Sequence, residues 1–197
     1  LSSCKDIEII EYSLAAETSD YRRTASPAAG AQSVTRAIED EVRNVPFPFN
    51  ESERSQQMQW HYNNTGNVFA QASRLGADAN VYAAWQLSTG DPDVIVAVVD
   101  QGVKYDHEDL AANMWTNTAE QNGSEGRDDD SNGYADDIHG FNFVDNTTLT
   151  ISTKGDAPDH GTHVAGVIAA QNDNGEGISS IAGGTSSQPG VKIMSCQ

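Results

Sequence analysis

Basic side chains are scarce in this sequence. Lysine and arginine number 11 against 29 aspartates and glutamates, a formal net charge of −18 over 197 residues with a pI near 4.3. Gripping nucleic-acid phosphates takes a basic face, so this balance excludes nucleic acid as a partner and leaves cations as the natural counterpart of the carboxylates. Cysteine is nearly absent, and two residues cannot make the disulfide framework of a small stapled scaffold. No apolar run in the sequence approaches the roughly 18 residues that read as a membrane-spanning helix. Aromatic residues make up 7% and hydrophobic residues 37% of the chain, low values that still exceed a disordered composition. What is present fits one acidic globular domain with a short extra segment.

The first residues, Leu1-Ser2-Ser3-Cys4, place small side chains before a cysteine, as at a signal-peptidase site. They resemble a bacterial lipobox trimmed of its charged and apolar front. That resemblance implies a lipid on Cys4 and acyl-chain anchoring to an envelope membrane. An arbitrary chain boundary before an ordinary cysteine is the alternative. Residues 1–49 read as a tether or propeptide remnant, with linker-like stretches at Thr24 to Gly30 and Pro46-Phe47-Pro48. Thr35 could cap a short helix to Arg43, whose few apolar positions cannot form a core. The domain is read as residues 50–197.

Within it, Asp78 to Leu87 has one apolar helical face with Asp78 as N-cap. Val94 to Val99 is a continuous apolar run, as in a parallel strand buried on both faces. Glu108 to Asn113 reads as a helical turn, Asn122 to Asp137 as a polar loop and Phe141 to Val144 as a short strand. Gly161 to Ala170 reads as a helix of small residues, and Val191 to Cys196 as a second core strand in which Cys196 serves as a small hydrophobe. Strands alternating with helices indicate an α/β architecture.

Two features carry chemistry. Asp100 directly follows the apolar strand, where α/β proteins place sites, and Gly102 lets the backbone turn away. His160 opens the small-residue helix, which can pack close to a sheet. A carboxylate holding Nδ1–H of an imidazole lets the other ring nitrogen take a proton from a nucleophilic hydroxyl.

The strings Val94 to Val103, His107-Glu108-Asp109-Leu110 and His160-Gly161-Thr162-His163-Val164-Ala165-Gly166 resemble the subtilisin-like serine peptidases, the subtilases. Trp60 to Asn64 and Ala83-Ala84-Trp85 resemble that family's domain entry. The resemblance covers about residues 50–197. It implies a three-layer subtilisin-like α/β fold with a mostly parallel sheet, here C-terminally truncated. It also implies an Asp-His-Ser endopeptidase of protein or peptide substrates, with Asp100 as the orienting carboxylate and His160 as the general base. Gln101 stands where the family usually has Ser or Thr, and Ser180 where Gly is common. Only 37 residues follow His160, so the family's downstream Gly-Thr-Ser-x-Ala-x-Pro nucleophile string is not included. Gly184-Thr185-Ser186-Ser187-Gln188-Pro189 begins like that string but lacks its Ala and reads as a polar turn. The chain by itself is expected to be inactive. The competing readings are a non-catalytic calcium-binding pseudo-peptidase module and a zinc hydrolase using His160 and His163. The zinc reading lacks the Glu and the spacing of the usual motif.

Five carboxylates crowd Asp128 to Asp137. Counted from Asp128, oxygen side chains fall at Asp128, Asp130, Asn132 and Asp136 with Gly133 at the turn, like the start of an EF-hand loop without its final Glu. These four are the candidate Ca2+ ligands, with the carbonyl of Tyr134. The family resemblance implies another calcium site using Asp109 and Asn174, carbonyls near Gln171, Glu176 and Ile178, and Glu51 as an added acid. A monomer at the bacterial cell envelope, lipid-anchored or secreted, is the expected context.

Overall fold

The computed structural model describes residues 47–68, 71–150 and 159–197. Cys4 and the helix expected from Thr35 lie outside the described residues. Helix α1 (Glu53–Met58) starts where the Ser52 hydroxyl accepts the Ser55 amide. Strands β1 (Asn67–Val68) and β2 (Gln71–Ala72) form a small antiparallel pair. Helix α2 spans only Val81–Trp85, shorter than the periodicity predicts. The reason is local. Asn80 takes the left-handed conformation (φ 52°), and Asp78 spends both carboxylate oxygens accepting the amides of Asn64 and Asn80. Asp78 fixes a turn rather than opening a helix.

Strand β3 (Ile95–Val99) leads into a turn-rich segment containing a 3₁₀ turn (Ala111–Asn113), helix α3 (Thr118–Gln121), β4 (Gly140–Asn142) and β5 (Thr147–Thr148). Helix α4 (Asp159–Ala169) and β6 (Lys192–Cys196) follow. The four-stranded sheet has the order β3-β6-β4-β5. β6 runs parallel to both neighbours, in register with β3 from Ile95↔Lys192 to Val99↔Cys196, and only β4 and β5 are antiparallel. The result is an open, mixed, mostly parallel α/β sheet consistent with a subtilisin-like fold.

Side chains alternate across a strand. Val96 and Val98 face the same core as Ile193, together with Val103, Leu110, Ala165 and Ala169 from the adjoining loop and α4. The opposite face of β3 differs from the expectation of burial on both sides: Ile95 is 40% and Val99 81% exposed. Among the described residues β3 is the sheet edge, and no second layer covers those two side chains. β4 also stops earlier than the apolar run predicts, because the Asn142 side-chain oxygen accepts the amides of Val144 and Asp145 and turns the chain.

A second cluster gathers Tyr62, Val81 and Trp85, with Phe47, Phe49 and Tyr82 packed against it. It is tied to the segment after α4. The Trp85 indole N–H donates to the Ile181 carbonyl, and the Tyr62 hydroxyl donates to the Ser179 carbonyl. Gln59 exchanges two hydrogen bonds with the Ser179 backbone. Burial pushes the Tyr62 and Tyr82 phenols up to about 12, so both remain protonated. Among the described residues no helix is long and apolar enough to cross a membrane.

Candidate active site

Asp100 leaves the carboxyl end of β3 with its amide still donating to the Cys196 carbonyl of β6. One carboxylate oxygen accepts the Gln101 amide at 2.7 Å, and the other lies 2.7 Å from Nδ1 of His160. The chain then reverses through Gly102 at φ 101°. His160 is the second residue of α4, so the Asp-His meeting requires the helix to sit almost against the loop that follows β3. Gly161 permits this. A Cβ there would overlap the Gly102 carbonyl oxygen and lie 3.1 Å from Cβ of Asp100.

Gly161→Ala is therefore expected to destabilise the domain. Alanine ordinarily favours a helix interior by about 1 kcal/mol. Here overpacking against backbone atoms that cannot swing away costs about 1–3 kcal/mol, which outweighs that gain. A differential-scanning melt should show a lower Tm, and an unchanged or raised Tm would contradict the close packing.

The Asp100 carboxylate is held below the ordinary Asp range, first by the Gln101 amide and then by the hydrogen bond and charge of His160, against opposing desolvation. An ionised carboxylate can only accept, so Nδ1 carries the shared proton, and in a neutral imidazole the acceptor nitrogen is then Nε2, which points outward. The His160 side chain is 71% exposed, and Nε2 has no hydrogen-bond partner among the described residues. An imidazole so held could exchange a proton with a group placed in the open space before it.

The sequence profile of the subtilase family matches residues 91–196, more than half of the chain and both members of this pair. The chain belongs to the subtilase family. Over 102 residues it is 39% identical to subtilisin-like protease 1 of Plasmodium berghei, covering 52% of this chain and 15% of that protein. It is 39% identical over 106 residues to halolysin of Haloferax mediterranei, covering 54% and 16%. With the minor extracellular protease Vpr of Bacillus subtilis it shares 35% over 92 residues, 44% of this chain and 9% of that protein. The chain thus spans about one sixth or less of the length of these relatives.

Other candidate residues of this subtilase chain sort by their partners. The Ser186 hydroxyl donates to Asp173, and the Ser187 hydroxyl pairs with Thr185, so neither serine engages His160. His163 is exposed, and Nδ1 of His160 is already held by a carboxylate. Among the described residues, the group close enough to share a metal ion is Glu120, Asp130 and Asp137, with ligand atoms within 4.8 Å of one another. These three could coordinate a divalent cation.

Only Asp130 of that group belongs to the four positions singled out by EF-hand spacing. Asn132 touches the group, donating its side-chain amide to Asp130 and Asp137. Asp128 accepts the amides of Asn132 and Gly133, and Asp136 accepts the Gly126 amide, so both also shape the loop. Glu120 and Asp137 escaped the spacing argument. Glu120 lies three residues after the α3 N-cap Asn117, a capping-box position that hides any other role. Its two oxygens accept the amides of Asp129, Asp130 and Asp136, which draws the loop around it. Burial, reinforced by the Asp130 and Glu120 charges, pushes Asp137 up to about 6 despite hydrogen bonds from Asn117 and Asn132.

A second acidic pair lies across the fold. Glu51 and Asp109 are 2% and 3% exposed. Asp109 accepts the Asn174 side-chain amide at 2.9 Å and the Ile178 amide at 3.0 Å, so Asp109 and Asn174 do meet. Burial raises the Asp109 pKa, and the Glu51 charge adds to it. Glu51 accepts the Asp173 amide through one oxygen, while the other, Oε2, is buried with no partner among the described residues.

Proposed function

We propose that the chain supplies the orienting carboxylate and the general base of a serine endopeptidase acting on proteins or peptides, with the nucleophilic hydroxyl coming from sequence beyond Gln197. The observation that carries this reading is the 2.7 Å contact from Asp100 to Nδ1 of His160 with Nε2 left outward. In it, His160 takes the serine proton as the hydroxyl attacks the scissile carbonyl and returns it to the leaving amine. Asp100 keeps the imidazole in the Nδ1–H tautomer and stabilises its transient positive charge. Water then releases the acyl-enzyme with the same base.

The acidic sites are read as structural Ca2+ sites. An unpartnered, buried carboxylate oxygen is costly, and Oε2 of Glu51 beside buried Asp109 suits a hard cation bound by oxygen. Asp109, Asn174 and Glu51 would hold one ion. Glu120, Asp130 and Asp137 would hold another, with Asp128, Asn132 and Asp136 shaping its loop. Such ions would supply charge neutralisation and loop rigidity. The extracellular protease named among the relatives agrees with export of this chain, and a lipid on Cys4 would place it at a bacterial envelope.

A serine-directed fluorophosphonate tests the reading. Residues 1–197 alone are expected to remain unlabelled, since neither Ser186 nor Ser187 pairs with His160. The gene product extending past Gln197 is expected to label one-to-one and to cleave casein. Absence of both in the longer product would leave the non-catalytic calcium module. Stoichiometric labelling of residues 1–197 would overturn the assignment of the nucleophile.

A further inference from the structure

β6 is a core strand of Lys192, Ile193, Met194, Ser195 and Cys196, and Ser195 is fully buried in it. A hydroxyl in such surroundings is unfavourable unless it is hydrogen-bonded. It sits opposite Val98 on the face that packs against α4, where Ile193 two residues earlier is apolar. Its partner lies outside the strand: Oγ accepts the amide of Val103 at 3.0 Å, a bond between residues 92 apart in sequence. One residue on, the Lys104 amide donates to Oγ1 of Thr162 in α4 at 2.9 Å. The loop after Asp100 is thereby held at two consecutive amides, one by the sheet and one by the helix that carries His160.

We propose that Ser195 is a positioning residue for the Asp-His pair, acting with Thr162 to hold the 101–104 loop so that the Asp100 carboxylate meets Nδ1 of His160. This deepens the peptidase reading and rests on it. The physical logic is that Asp100 has its backbone amide on Cys196 and a carboxylate oxygen on its neighbour Gln101. Those bonds fix its start and its own local turn, but not the lateral place of the loop relative to α4. Ser195 and Thr162 set that lateral place. Ser195 touches neither His160 nor any reacting atom, so its effect is transmitted through the loop.

The test reads the imidazole tautomer, which needs no nucleophile. In residues 1–197, long-range ¹H–¹⁵N correlation spectra give the ratio of Nδ1–H to Nε2–H tautomers of neutral His160. The unaltered chain should favour Nδ1–H, and Asp100→Asn should remove that preference. Ser195→Ala should lower the ratio about 5-fold, the scale of one hydrogen bond, and Ser195→Thr should restore most of it. A lower Tm with an unchanged tautomer ratio in Ser195→Ala would make the hydroxyl merely structural and overturn the proposal. If Ser195→Ala does not fold, Thr162→Val removes the other clamp at a partly exposed site, and an unchanged ratio there overturns the proposal equally. If the unaltered chain already matches Asp100→Asn, the peptidase reading fails first and the proposal fails with it, an outcome distinct from failure at Ser195 alone.

Discussion

Asp100→Asn in the serine-containing peptidase is expected to lower kcat by about 10⁴-fold with little change in KM. An asparagine is nearly the same size, so the loop clamped by Ser195 and Thr162 keeps its place. What changes is the partner presented to Nδ1. The amide carries no charge to stabilise the imidazolium, and if its NH2 faces the ring it selects the tautomer that leaves Nε2 protonated. Such a base cannot take the serine proton. The loss belongs to the transition state rather than to substrate binding, hence the effect on kcat. The sign of the pH dependence follows from the depressed carboxylate. The stabilising pairing is present above the ordinary Asp range and is lost only as pH falls through the still lower folded value. Steady-state kinetics on the purified variant decide the matter. A loss under about 10-fold would mean that Asp100 is not the orienting group.

Removing calcium is expected to produce the largest change in stability. A site populated at 100 to 1,000 times its dissociation constant adds about 3–4 kcal/mol to a fold. For a domain of this size, loss of that contribution lowers Tm by about 6–16 °C. Chelation leaves Glu51 and Asp109 buried together with one carboxylate oxygen unsatisfied, and leaves Asp137 among the Glu120 and Asp130 charges. The folded pKa of Asp137 is raised to about 6 and that of Asp109 is raised as well. Below the unfolded Asp value both states are protonated. Between there and about pH 6, the native state binds more protons than the unfolded one, so the cation-free protein loses stability as pH rises. Calcium competes with those protons, and its Tm increment should be larger at pH 7.5 than at pH 5. Melts with calcium or with chelator, at matched ionic strength, check this. Glu51→Gln should shrink the increment through the buried pair alone. A melt indifferent to chelation at pH 7.5 would remove the cation reading of both sites.

The two residues that matter most were legible in the sequence because each sits beside a strong local pattern. Six consecutive apolar residues announce a core strand, and the acid at its end is placed by the strand's own termination. A helix built from Gly and Ala announces close approach, and the imidazole at its start is carried to the sheet by that approach. Much of the parallel framework could be read for the same reason. Hydrophobic patterning is local, and it located β3 and β6 even though one face of β3 is exposed.

Legibility failed where one polar side chain overrode the pattern. A left-handed Asn80 delays the start of a helix, and Asn142 ended a strand because its side-chain oxygen captured the amides of Val144 and Asp145. The acidic loop shows the same limit. Spacing ranks Asp128 with Asp130 but does not reach Glu120 of α3 or Asp137 at the end of the loop, whose oxygens lie near those of Asp130.

By itself, the sequence determined that this is an acidic α/β chain with a carboxylate after one strand and a histidine at a helix start, since periodicity and composition act within a few residues. Tertiary structure alone decided the 2.7 Å contact by which the two groups, expected from the family resemblance to act together, meet across 60 residues, the bond from the Val103 amide to a buried serine on a neighbouring strand, and the burial of one Glu51 oxygen with no partner among the described residues. Distances between such remote groups are set by how helix and sheet pack, and no local pattern encodes that packing.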